Sequence, residues 1–173
     1  MQDLTLDTPW TPKNNRTPAE KRALYADLAL AIDGLLTGES DWIANTANVA
    51  ASIYHSLPAL NWAGFYFLRG NELVLGPFQG KPACVRIALG KGVCGTAAAE
   101  RRTILVPDVH DFPGHIACDA ASRSELVVPL LRDGEMLGVL DLDSPIAARF
   151  DAADQEGCEA IVRVLLKAIR RPA

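Results

Sequence analysis

Three cysteines, Cys84, Cys94 and Cys118, lie in the middle of the chain, and a fourth, Cys158, lies near its end. Thiols in a reduced compartment are more often catalytic or metal-binding than part of a disulfide framework. A metal site built from the three central cysteines and a histidine has weak support, because no Cys-x-x-Cys or His-x-x-His pair is present to grip an ion locally. Redox chemistry suits the pattern better: one loop thiolate attacks, and a second cysteine on a neighbouring element closes a disulfide. Cys118 sits in the polar run Gly114-His115-Ile116-Ala117-Cys118-Asp119. Cys94 follows Gly92-Val93 at the expected start of a helix, where exposed amides and the helix dipole predict a lowered pKa. Cys84 opens a strand and by itself reads as packing. Cys158, among Ile161, Val162 and Leu165, reads as a small buried hydrophobe. His110 and His115 read as loop residues with local hydrogen bonds.

Carboxylates supply the second kind of chemistry. Strand side chains alternate between faces. Leu126, Val128 and Leu130 therefore share one face and Glu125 takes the other. On the next strand Gly138, Leu140 and Leu142 oppose Val139, Asp141 and Asp143. Trp62, Gly64 and Tyr66 share a face of an earlier strand. An aromatic wall, a glycine that leaves room and three acids on non-core faces describe a cation-accepting pocket. The plainer reading, solvated acids on an open sheet face, has about equal weight from spacing alone. Aspartate is disfavoured inside strands, so two of them in Leu140-Asp141-Leu142-Asp143 call for a reason.

The elements that must position these groups are legible in outline. Residues 1–16, with Pro9, Pro12, Asn14 and Asn15, read as an extended arm pinned by Trp10, and residues 17–173 as one domain. Thr17-Pro18-Ala19-Glu20 is a capping box with proline in the first turn, opening a helix to about Leu36 that Gly38 helps to end. A second helix is expected from Ser40 to near Pro58, packing through Trp42, Ile43, Val49, Ile53 and Leu57. Residues 62–68 and 72–75 predict a hairpin around Arg69-Gly70-Asn71, and 84–87 a short third strand. Gly90 to Gly95 reads as a glycine-rich turn opening a short helix over 96–100, followed by a strand over 103–106. The loop 107–122 carries Cys118 and is long enough to suggest function. Residues 124–131 and 135–143 flank an Asp133-Gly134 turn, the clearest hairpin in the chain, and Asp151 caps a last helix to about Arg170. Hairpin-linked strands with helices outside predict an α+β fold with a largely antiparallel sheet.

Composition narrows the function classes. The 173 residues suffice for one domain with a real core; 49% are hydrophobic and 22% charged. A net charge of −4, with basic residues clustered only at Arg170-Arg171, argues against a nucleic-acid partner. No apolar run approaches the ~20 residues that span a bilayer, and the first residues lack a hydrophobic signal core. A cytoplasmic enzyme or sensor is the expectation.

Asn61-Trp62-Ala63-Gly64-Phe65-Tyr66, Gly80-Lys81-Pro82-Ala83-Cys84, Gly90-Lys91-Gly92-Val93-Cys94-Gly95-Thr96, Gly114 to Asp119, Ser124-Glu125 and Gly138 to Ser144 together resemble the free methionine-(R)-sulfoxide reductases, single GAF-domain proteins. The likeness runs from Thr17 to the last helix. Val128-Pro129-Leu130 and the Gly138 run match GAF domains generally, and the three cysteines are the specific part. The resemblance implies a GAF-like six-stranded antiparallel sheet flanked by helices, often in a homodimer. It implies Cys118 as nucleophile, Cys84 or Cys94 as the resolving thiol, and Trp62, Tyr66, Glu125, Asp141 and Asp143 as substrate-binding residues. No cofactor and no metal are implied.

The expected reaction is thiol-dependent reduction of free methionine (R)-sulfoxide, an oxidative-stress repair. The Cys118 thiolate attacks the sulfoxide sulfur, and one of the three acids, its pKa raised by its neighbours, protonates the oxygen. Methionine departs, Cys118 is left as a sulfenic acid, and a second cysteine condenses with it. Thioredoxin or a similar dithiol restores the thiols. Cys84 is preferred as resolving residue over Cys94 because a strand places it more rigidly. The substrate ammonium would neutralise the acids, and Trp62 would pack its methyl thioether end. The loop 107–122 would act as a lid. Two rivals remain from the sequence: a GAF module that binds a small ligand without chemistry, and a thiol redox sensor using Cys94 and Cys118.

Overall fold

A computed structural model describes residues 16–114 and 120–169. The arm expected over residues 1–16, Arg16 apart, lies outside the described residues, as do Cys118 and His115. Two helices lead: α1 (Pro18–Leu36) and α2 (Trp42–Ser56). Thr17 closes the predicted capping box at 3.3 Å from the Glu20 amide, while the Glu20 carboxylate accepts from the Thr17 amide at 2.7 Å. The second helix is capped by Asp41 rather than opened by Ser40; its carboxylate accepts from the Ala44 amide at 2.8 Å. An ionised carboxylate at a helix N-terminus also meets the positive end of the dipole. Of the packing residues expected on α2, Trp42, Val49, Ile53 and Leu57 are buried, but Ile43 points outward.

The strands are β1 (Trp62–Arg69), β2 (Glu72–Gly80), β3 (Arg86–Ala88), β4 (Ile104–Val106), β5 (Ser124–Arg132) and β6 (Glu135–Ser144). They form one antiparallel sheet in the order β3-β2-β1-β6-β5-β4. The third strand begins two residues later than Cys84, although the Val85 carbonyl still accepts from the Leu75 amide at 3.0 Å. A helix α3 (Gly92–Glu100) joins β3 to β4, a 3-10 turn spans Val109–Asp111, and α4 (Ala152–Ala168) follows the last hairpin.

Both sheet faces are covered, so of the two readings of the acids left open by spacing the open, solvated face is not the one found. Ala63, Phe65, Phe67, Leu126, Val128, Leu130, Leu140 and Leu142 pack against α1, α2 and α4 in the larger core. Trp62, Tyr66, Val127 and Val139 on the opposite face pack with Val93, Cys94, Ala97 and Ala98 of α3 in a smaller one. The apolar residues at alternate positions are why each face can hold a core, since a strand buried on both sides must be apolar in both registers. The acids Glu125, Asp141 and Asp143 therefore belong to a face roofed by a helix.

Candidate active site

Strand register brings the predicted acids together. Trp62 lies opposite Asp143 on β6, and Asp143 lies opposite Glu125 on β5. One step along, Gly64 lies opposite Asp141, which in turn faces Val127. Two carboxylates directly opposite one another repel if both are ionised. Glu125 and Asp141 are each 6% exposed. Their burial is made possible by the short helix above them: the Cys94 thiol lies 3.9 Å from Glu125 Oε1, and Cys94 Sγ with one oxygen each of Glu125 and Asp141 lie within 4.8 Å of one another.

Electrostatics follow from this crowding. Burial, then the charges of Asp141 and Asp143, push the Glu125 carboxyl far above the usual carboxylate range. Burial also raises Asp141, to about 7, against the lowering effect of hydrogen bonds from Cys94 and Glu125. Crowding and burial thus favour a proton shared within the Glu125–Asp141 pair. The second Asp141 oxygen, Oδ1, is buried and has no hydrogen-bond partner. A buried acceptor left unpaired costs about 1–3 kcal/mol, more when charged.

Cys94 departs from the sequence expectation. The helix starts at Gly92 instead of Thr96, so Cys94 lies inside its first turn, wholly covered by the sheet. Burial and the neighbouring acids push its thiol well above the normal range. Desolvation and like charge outweigh the helix dipole, which falls off within one turn. Cys158 is buried in the larger core as expected, its thiol held up at about 12 by burial and 3.8 Å from the Tyr25 hydroxyl. Cys84 is disulfide-bonded, whereas Cys94 and Cys158 are free. His110 forms the local contact predicted for it, 2.7 Å from Asp108.

The aromatic wall is built on β1 and β2. Trp62 stacks between Tyr66, at 5.8 Å between ring centres, and Phe78, at 5.3 Å. Its indole N–H donates to the Lys81 carbonyl at 3.1 Å, and the Tyr66 hydroxyl donates to the Cys84 carbonyl at 3.0 Å. Both bonds tie the segment 81–84 over the pocket. Gly64 leaves room for this stack rather than for a ligand: a Cβ there would lie 2.7 Å from the Trp62 ring and collide with Phe78.

The resulting pocket is lined by Trp62, Tyr66, Glu125, Asp141 and Asp143, all five residues expected from the sequence, and by Cys94. Lys81, Lys91 and Ser122 also line it and were not anticipated. Their only local signal is proximity to Gly80, Gly90 and the long loop; that these segments fold back over the acids is a tertiary fact. Such a pocket, with acids, cations and aromatics in its lining, suits a small zwitterion.

Known proteins resemble this chain over most of its length. The GAF domain model matches residues 41–169. The free methionine-R-sulfoxide reductase of Escherichia coli is 50% identical over 149 residues, covering 86% of this chain and 90% of that protein. Among solved structures, the free methionine-R-sulfoxide reductase of Neisseria meningitidis in complex with its substrate is 45% identical with a TM-score of 0.83, covering 86% of this chain and 89% of that one. The corresponding Staphylococcus aureus protein, also with substrate, is 53% identical with a TM-score of 0.80, covering 83% and 94%.

Proposed function

We propose, from the premise that this chain belongs to the GAF family and within it to the free methionine-R-sulfoxide reductases, that it reduces free methionine (R)-sulfoxide with Cys118 as nucleophile and Cys84 as resolving thiol. The observation that carries the reading is the buried Glu125–Asp141 pair beside the half-buried Asp143, with an orphan oxygen on Asp141. An ammonium group satisfies that oxygen and offsets the crowded charge. A methionine sulfoxide inside a peptide brings no ammonium, so it leaves the acids unpaired and is rejected. Lys81 and Lys91 offer the opposite charge to the α-carboxylate, and Trp62 an apolar face to the methyl sulfur end.

The Cys118 sulfur forms a bond to the sulfoxide sulfur while Glu125 gives its proton to the oxygen. That oxygen ends on the cysteine as a sulfenic acid, and methionine leaves with two electrons more than the sulfoxide held. The Cys84 thiol then attacks Cys118, a disulfide forms and the oxygen departs as water. The disulfide engagement of Cys84 and the burial of the free Cys94 thiol support Cys84 over Cys94. A thioredoxin-type dithiol supplies the two electrons that close the cycle. The reading extends to the cytoplasm, whose reducing poise such a cycle needs; no helix among the described residues is long and apolar enough to cross a membrane. It extends to a homodimer as well, supported by the exposed Leu30 and Leu35 of α1 and Ile43 of α2.

The test is turnover of free methionine (R)-sulfoxide with dithiothreitol as sole reductant. Methionine is expected from the free amino acid and none from a peptide carrying the same sulfoxide. Cys118→Ser is expected to lose all turnover, and Cys84→Ser to release one methionine per chain and stop when thioredoxin replaces dithiothreitol. No methionine from the unaltered protein, or full activity in Cys118→Ser, overturns the reading. A disulfide formed with peroxide but never with sulfoxide would mark a sensor instead.

A further inference from the structure

The same wall of the pocket offers ligands that no local spacing announces. Cys94 Sγ, one Glu125 oxygen and one Asp141 oxygen come from three elements, α3, β5 and β6, and lie mutually within 4.8 Å. A zinc-sized ion with bonds of about 2.3 Å to sulfur and about 2.1 Å to oxygen, arranged tetrahedrally, sets sulfur and oxygen about 3.6 Å apart. The Cys94 to Glu125 separation of 3.9 Å is close to that without rearrangement. Independently, Asp141 Oδ1 is buried among these groups without a partner. Asp143 lines the same pocket. We propose that Cys94, Glu125 and Asp141 form a binding site for a thiophilic divalent cation, zinc or cadmium, which occupies the place of the substrate ammonium and so competes with it.

One sulfur and two or more carboxylate oxygens favour zinc or cadmium over magnesium, which demands oxygen in octahedral array and keeps its water. On binding, the Cys94 thiol proton and the shared carboxyl proton are released to solvent, so the ion replaces protons and no redox change occurs. The ion is an inhibitor of the pocket and not a participant in sulfoxide reduction, since it fills the space the substrate needs. The site itself stands on the geometry; only the competition rests on the proposed reductase reading.

The experiment uses the full chain with Cys84→Ser and Cys118→Ser, which leaves Cys94 and Cys158 as its thiols. Titration with cadmium chloride is followed by the ultraviolet charge-transfer band of a cadmium–thiolate bond and by calorimetry, with magnesium chloride as the hard-cation control. The expected result is one cadmium per chain with one thiolate, retained in Cys158→Ser, lost in Cys94→Ser, and weakened about tenfold or more in Asp141→Asn. Magnesium gives no comparable heat. Absence of the band, or a band that survives Cys94→Ser, overturns the proposal. Where Cys94→Ser fails to fold by circular dichroism, an unchanged cadmium affinity in Asp141→Asn overturns it. Free methionine (R)-sulfoxide is then added to the cadmium-loaded protein. Displacement of the ion joins the two readings; a retained ion leaves the metal site intact and counts against the sulfoxide pocket.

Discussion

Two groups of buried carboxylates lie on opposite faces of the sheet and are handled in opposite ways. Asp154, on α4, is 1% exposed and fully met: Arg149 Nη1 donates at 2.8 Å, Lys21 Nζ at 2.6 Å, the Tyr25 hydroxyl at 3.0 Å and the Asp151 amide at 2.9 Å. Asp141 and Glu125 are almost as buried, yet no arginine or lysine forms an ion pair with them among the described residues, and one oxygen of Asp141 has no partner. The first cluster joins α1, α4 and the Pro58 turn into one body; Arg149 also reaches the Pro58 carbonyl at 3.1 Å. The second keeps like charges crowded beneath α3. A protein tolerates such a conflict where a ligand resolves it, and the difference separates the side of the sheet that holds the fold from the side where the substrate site is proposed.

Mutations on the two sides should fail in different assays, and the largest effects make the sharpest contrast. Asp154→Ala strands the Arg149 guanidinium in the interior and is expected to cost about 3–5 kcal/mol of stability in urea unfolding. Glu125→Gln is expected to leave unfolding nearly unchanged while lowering kcat by about 10²- to 10⁴-fold, because the amide cannot deliver a proton. Equal losses of stability in the two variants would erase the distinction. If Asp143 meets the substrate ammonium as proposed, Asp143→Asn is expected to reduce kcat/KM for free methionine (R)-sulfoxide by about 10- to 100-fold, mostly through KM.

Titration separates the clusters next. Asp141 ionises near 7 in the folded chain and near 4 when unfolded. The folded state holds the proton more tightly, so this contribution to stability is complete below about pH 4 and is lost as pH rises through about 7. Between pH 4.5 and 8 the unaltered protein is expected to lose about 1–3 kcal/mol more than Asp141→Asn. Parallel pH profiles for the two proteins would refute a proton-holding pair. The smallest effect is expected at the core thiol: Cys158→Ala, which opens a small void between α4 and α1, should cost about 1 kcal/mol and leave turnover intact.

Much of the chemistry was legible in the chain. Period-two alternation set Trp62 and Tyr66 on one face of β1 and Glu125 opposite Leu126 and Val128, and the structure keeps those assignments. Thr17 with Glu20, and Asp151 ahead of α4, announce their caps because capping is local. The misreadings are equally physical. A place near a helix start predicts a lowered pKa for Cys94, but its environment is made by β5 and β6, thirty and more residues away in sequence. Ser40 and Asp41 are adjacent capping residues, and the choice of Asp41 depends on where the chain leaves the core.

By itself the sequence determined what kinds of groups this protein owns and which way each points from its own strand or helix, because backbone periodicity and caps are set within a few residues. Only the tertiary structure decided that Glu125 and Asp141 are buried instead of solvated, that one of them is left with an unmet oxygen, and that lysines from two distant segments share their pocket. Those outcomes depend on strand register and on the roof laid by α3, and electrostatic energies are governed by distances that no stretch of sequence contains.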